Sequence, residues 1–117
     1  MERKTDSLRE QQALDALGAL AQANRLALFR LLVQRGESGM TAGEIAERLG
    51  VPNSSLSFHL AHLERAGLIS RTRDGRSLIY RADYGAMNGL VGYLMENCCG
   101  GDGCVSELTD TLERIAS

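Results

Sequence analysis

Tryptophan is absent from this chain, and aromatic residues fill only 4% of its 117 positions. A core must therefore be built from Leu, Ile, Val, Met and Ala, within a hydrophobic content of 44%. Proline occurs once, at Pro52, in the turn Gly50-Val51-Pro52. No run approaches the roughly 20 apolar residues a membrane span needs. The stretch Met1–Glu10 is charged and has no apolar core of a signal peptide. No membrane partner and a cytoplasmic location are expected, in a compartment where thiols stay reduced. No nucleophile–base pair and no phosphate-binding glycine loop is visible, so the chain does not read as an enzyme.

Cysteine is missing until residue 98, and then all three occur within seven residues: Cys98, Cys99 and Cys104, spaced C-C-x4-C. Gly100-Gly101-Asp102-Gly103 lies between them, a linker that can fold back sharply. Three convergent thiols suit a soft, thiophilic ion. They make a poor structural zinc site, which uses four protein ligands. The bland alternative is a set of buried thiols acting as small hydrophobes.

The net charge of −2 gives no general affinity for nucleic acid, but its distribution is uneven. From Ser54 to Arg81 five arginines stand against two acidic residues, a local +3 on a body of −5. Such a basic segment is a candidate footprint for phosphate, although a solvated charged face looks the same.

The apolar spacing predicts a first helix from about Arg9 to Gln22 with a face of Leu14, Leu17 and Ala21, after a polar tail over residues 1–8. A second, capped by Asn24, carries Leu26, Phe29, Leu32 and Val33 and closes near Gly36. Thr41-Ala42-Gly43-Glu44 fits a capping box for a short third helix bearing Ile45, Ala46 and Leu49. Gly50-Val51-Pro52 then turns the chain. Asn53 or Ser54 can cap a fourth helix with Leu56, Leu60 and Leu63 inward, stopped by Gly67. Two β-forming runs, 68–73 and 76–81, flank Asp74-Gly75 and read as a hairpin. After Asp83 the helical period returns through Met87, Leu90, Val91, Leu94 and Met95, and a short C-terminal helix follows at about Ser106–Ile115, with Leu108, Leu112 and Ile115. The expected fold is mainly α with a β-hairpin, a winged helix-turn-helix in a single domain over residues 1–117. It divides into a core at 9–96, a cysteine loop at 97–105 and a terminal helix at 106–117.

In that fold the fourth helix enters the major groove and the hairpin, or wing, lies along the backbone or minor groove. The candidate DNA-binding residues are Asn53, Ser54, Ser55, Ser57, Phe58, His59 and His62 on the helix, and Arg71, Arg73 and Arg76 on the wing. His59 reads as a hydrogen-bond donor to phosphate or neighbouring backbone. The bland alternatives are capping serines, a surface His62 and a charged edge that blocks strand pairing. Met87, Leu90, Val91 and Leu94 either belong to the core alone or, with Leu14 and Leu17, suggest a homodimer interface through the two terminal helices that would present two recognition helices to a palindromic site.

The stretch Ser57-Phe58-His59-Leu60-Ala61-His62-Leu63-Glu64-Arg65-Ala66-Gly67-Leu68-Ile69 resembles the ArsR/SmtB family of metal-responsive repressors. The likeness runs on through Arg73-Asp74-Gly75-Arg76 and Tyr80 and includes Asn24-Arg25-Leu26, covering about Leu14 to Met95. It departs from the arsenic sensors that carry thiols on the third helix, because none is present there. Asp83 and Glu96 occupy zinc-sensor positions after the wing, but no histidine lies between them. Cys98, Cys99 and Cys104 look like the subset with a cysteine pair and a third cysteine after the last long helix. The resemblance implies operator binding by a ligand-free homodimer and release when arsenite, As(III), or its congener Sb(III) binds the three thiolates. Alternatives are a thiol redox switch, a site for cadmium, lead or zinc, or a thiol-rich metal-binding or protein-interaction module.

Overall fold

A computed structural model of the chain describes residues 3–96, with side chains from residue 8. The cysteine cluster and the expected terminal helix lie outside the described residues. Helix α1 spans Arg3–Leu20 and α2 spans Ala23–Arg35. A 3-10 turn at Gly36–Ser38 leads into a short strand β1, Met40–Thr41, and then α3, Ala42–Leu49. Helix α4 runs Asn53–Arg65, the hairpin is β2 (Ile69–Asp74) and β3 (Ser77–Ala82), and α5 runs Tyr84–Leu94. No single helix among the described residues is long and apolar enough to cross a membrane.

Local chemistry sets the boundaries. The capping box at α3 forms as the sequence suggests. The Glu44 N–H donates to Thr41 Oγ1 at 3.2 Å, and the Thr41 N–H donates to the Glu44 carboxylate at 2.9 Å. That backbone hydrogen bond holds the Glu44 carboxyl below the usual carboxylate range. Helix α4 closes in a Schellman arrangement, with Gly67 N–H donating to Glu64 O and Leu68 N–H to Leu63 O. Two caps differ from expectation. Gln22, not Asn24, caps α2, its side-chain oxygen accepting from the Arg25 N–H at 2.9 Å. Pro52 precedes α4 with no side-chain cap, and Asn53 is already helical. The first helix also begins earlier than expected, because no Gly or Pro interrupts residues 3–17.

The sheet has the order β1-β3-β2, all antiparallel. Its third strand, β1, pairs Met40 with Tyr80 and Thr41 with Ile79. Leu28, Leu32, Met40, Ile45, Leu56, Leu63 and Leu68 are fully buried between α2, α3, α4 and the root of the hairpin. Each such side chain contributes about 2 kcal/mol. The inward face of α1 is Ala13, Ala16 and Ala19, whose small side chains let this helix pack closely, while Leu14 and Leu17 face outward. In α2 the buried stripe is Arg25, Leu28, Phe29 and Leu32, and Leu26 faces out.

Gly39 joins the 3-10 turn to β1 with φ +67° and ψ −171°, a region essentially reserved for glycine. A Cβ there would stand 2.7 Å from the Tyr80 carbonyl oxygen and 2.6 Å from Ile79 Cγ2. Gly39→Ala should therefore cost about 3 kcal/mol or more in urea unfolding. Gly50→Ala, also at positive φ but with open space around it, should cost only about 1 kcal/mol. Equal losses at the two sites would show that close approach to β3 is not what Gly39 provides.

Candidate nucleic-acid interface

Helix α4 separates its residues by period. Leu56, His59, Leu60 and Leu63 are buried, while Asn53, Ser54, Ser55, Ser57 and Phe58 are exposed. The exposed set lies in the first turns, whose backbone N–H groups and positive dipole end favour an anion such as phosphate. Phe58 is 59% exposed and sets its ring against the edges of His59 and His62, at 5.7 and 6.0 Å between centroids. This arrangement offers hydroxyls for base edges or phosphates and one apolar group for a thymine methyl.

The hairpin turns through Gly75 and Arg76, one residue later than the Asp-Gly pair suggests, with Asp74 and Ser77 as the closing pair. Arg71, Arg73 and Arg76 are all exposed. Arg71 forms an ion pair with Glu64 of α4 at 3.1 Å, which ties the wing to the helix and offsets part of its charge. Among the described residues, Arg73 and Arg76 have no carboxylate within ion-pair distance, so the wing tip carries the open positive charge. Arg81 is turned into the structure instead, donating to Glu37 O and to Thr72 Oγ1, both at 2.6 Å.

His59 departs from its expected role. It is only 8% exposed, and its Nδ1 lies 3.4 Å from Nη1 of Arg25 in α2. It sits three residues after Leu56 and four before Leu63, so helical spacing carries it into the core and away from the exposed face of α4. Burial, then the Arg25 charge, then His62 lower its pKa from the ordinary value. His62 is half-buried, with Nδ1 lacking a hydrogen-bond partner, and burial, Arg25 and Arg65 lower its pKa also. Arg25, 9% exposed, is the residue that sequence reasoning passed over as a component of this site. Its place three and four residues before Leu28 and Phe29 was the available signal.

The face formed by α1 and α5 has a different character. Leu14 is 55% and Leu17 40% exposed on α1, and Leu94 is 55% exposed on α5. Met87, Leu90 and Val91 are half-buried, and α5 has no fully buried residue. The two helices are pinned by Arg9, which pairs with Glu96 at 2.7 Å and lies over the Tyr93 ring at 5.2 Å. A cleft of about 510 Å³ opens between them, lined by Ala13, Ala16, Gly85, Gly89 and Tyr93 among others. Among the described residues, both acidic groups after the wing are engaged. The Asp83 carboxylate caps α5 by accepting from the Ala86 N–H at 2.9 Å, and Glu96 holds Arg9. Among the described residues no three His, Cys, Asp or Glu side chains cluster in a way that would hold a metal ion.

A helix-turn-helix domain family, HTH_20, matches residues 20–72. The HTH-type transcriptional regulator YgaV of Escherichia coli (strain K12) is 32% identical over 89 residues, covering 76% of this chain and 88% of that protein. The HTH-type transcriptional repressor SmtB of Mycobacterium tuberculosis is 36% identical over 71 residues, 60% of this chain, which spans about half of that relative's length (53%). Among solved structures, the fold is similar to the homodimeric winged helix-turn-helix DNA-binding domain of a possible ArsR-family transcriptional regulator from Mycobacterium bovis. The TM-score is 0.63 at 27% identity, with 83% of this chain and 88% of that chain covered.

Proposed function

Since the chain belongs to the ArsR/SmtB family of winged-helix transcriptional regulators, a DNA-binding and non-enzymatic family, we propose that it is a cytoplasmic, arsenite-responsive repressor. It binds an inverted-repeat operator as a ligand-free homodimer, through α4 and the wing of each subunit. The observation that carries this is the division of α4 into a buried leucine face and an exposed Asn53, Ser54, Ser55, Ser57 and Phe58 face beside an arginine-tipped wing. The outward leucines of α1 and the half-buried face of α5 supply the dimer contact.

The ligand assignment rests on donor chemistry. Cys98, Cys99 and Cys104 are soft, local and equal in number to the sulfur ligands that the resemblance associates with a trivalent pnictogen. Asp83 and Glu96 are engaged in a helix cap and an ion pair, which disfavours a site of the zinc-sensor type on α5. Arsenite favours a dimer state with lower DNA affinity, and a coupling of about 2 to 3 kcal/mol weakens operator binding about 30- to 150-fold. The test is a titration of the protein–operator complex, with operator taken from its own promoter region, under reducing conditions. Arsenite should release the DNA. Release by cadmium, lead or zinc in place of arsenite, or only on oxidation, would overturn the ligand assignment while leaving the repressor.

The wing arginines should act on phosphate. Arg73→Ala is expected to weaken operator and unrelated duplex together, because a phosphate contact carries little sequence information. The slope of log affinity against log salt should become shallower by about one unit at most. A changed operator preference with an unchanged salt slope would assign Arg73 to base edges instead.

A further inference from the structure

Arg25 is a buried cation with no carboxylate in ion-pair range among the described residues. Burying such a charge is costly unless polar groups surround it. Two do. Its Nε donates to the Ala19 carbonyl oxygen at 2.7 Å, at the C-terminal end of α1, where unpaired carbonyls and the helix dipole favour a cation. Its Nη1 faces His59 Nδ1 at 3.4 Å, in the middle of the inward face of α4. Arginine has only donors, so this contact is attractive only when Nδ1 keeps its lone pair and the imidazole proton sits on Nε2. Ser57 and Phe58 immediately precede His59, so whatever holds His59 sets the direction in which the exposed residues of α4 point.

Resting on the repressor reading above, we propose that Arg25 is a positioning residue for operator binding: it ties the end of α1 to neutral His59 and so fixes the recognition helix against the helix that carries the outward leucine face. Protonating His59 puts an N–H where the guanidinium needs an acceptor, and the tie becomes a repulsion. The other charged or titratable groups around this point are His62 on α4, Arg65 beside it, and Asp15 of α1, which lines a small cleft with His62 and Arg65.

The sign follows from the lowered His59 pKa. The folded protein favours the neutral ring, so the tie is intact above the ordinary histidine value of about 6.5 and is lost as pH falls through the lower folded value. Operator affinity should therefore drop on acidification. Added positive charge alone would strengthen binding to DNA, so the direction is diagnostic.

The experiment measures affinity for operator and for an unrelated duplex between about pH 8 and about pH 5.5, in the wild type and in three variants. His59→Asn keeps an acceptor oxygen near the Nδ1 position and cannot titrate. It should match wild type at the alkaline end and stay flat where wild type loses operator affinity as pH falls below about 6.5. Arg25→Lys should lose about tenfold on operator at the alkaline end, approach wild type as pH falls, and change little on the unrelated duplex. His62→Gln should still lose operator affinity on acidification, whatever its affinity at the alkaline end. Wild type that binds duplex while His59→Asn tracks its pH curve, or while Arg25→Lys leaves operator affinity unchanged at the alkaline end, would overturn the tie alone. Wild type that binds neither duplex at any pH would overturn the repressor reading and the tie together.

Discussion

A double substitution, Leu14→Glu with Leu17→Glu, should leave a folded monomer that has lost at least about 100-fold in operator affinity. Both side chains point out of the monomer, where the alanine face of α1 makes the internal contacts, so the helical fold should survive. Two carboxylates on each copy would meet across the proposed interface, where burial without a partner is costly. The DNA effect is large because the second half-site is bound at high effective concentration only while the two subunits are joined. Sedimentation velocity, circular dichroism and operator binding on the same sample decide the matter. A protein that remains dimeric, or that binds operator as well as wild type, would remove the α1 leucines from the interface.

How much of this was legible in the sequence depends on what each pattern can encode. Helix period revealed α3 and α4 because their stripes of isoleucine and leucine serve one core, and it located α2 and α5 although Leu26 and Leu94 of the expected stripes face out. The Thr41–Glu44 box and the close of α4 at Gly67 are local chemistry, complete within a few residues, and they form as read. Strand β1 escaped because two residues carry no alternation, and Met40–Thr41 is a strand only because β3 lies beside it. Period in α1 picked out Leu14 and Leu17 as a face, but it cannot say whether a face meets its own chain. The alanines meet this chain, and the leucines are left outward.

The exposure of the candidate interface residues was legible in part for a related reason. Serine, asparagine and arginine in a basic segment are surface residues by composition, and the structure leaves them on the surface. Arg25 and His59 share that polar chemistry but occupy core positions of their helices, and residue type outweighed spacing in judging His59. Spacing was the better guide there. A histidine between Leu56 and Leu63 on one stripe is carried inward, and only the pairing with Arg25, 34 positions earlier, makes that burial tolerable.

The second large effect concerns induction. Replacing Cys98, Cys99 and Cys104 together by serine should leave DNA binding within about twofold of wild type, because α4 and the wing lie wholly within residues 53–82. The same protein should lose the response to arsenite, since a hydroxyl is a hard and poorly ionised substitute for a soft thiolate. The most direct measurement is fluorescence anisotropy of labelled operator titrated with arsenite under reducing conditions, run on wild type and the triple-serine protein side by side. Wild type should release the DNA, its affinity falling about 30- to 150-fold, while the variant holds it through the whole titration. Release of the DNA by the triple-serine protein at unchanged arsenite concentrations would contradict the account, because the cysteine cluster would then not be the sensor.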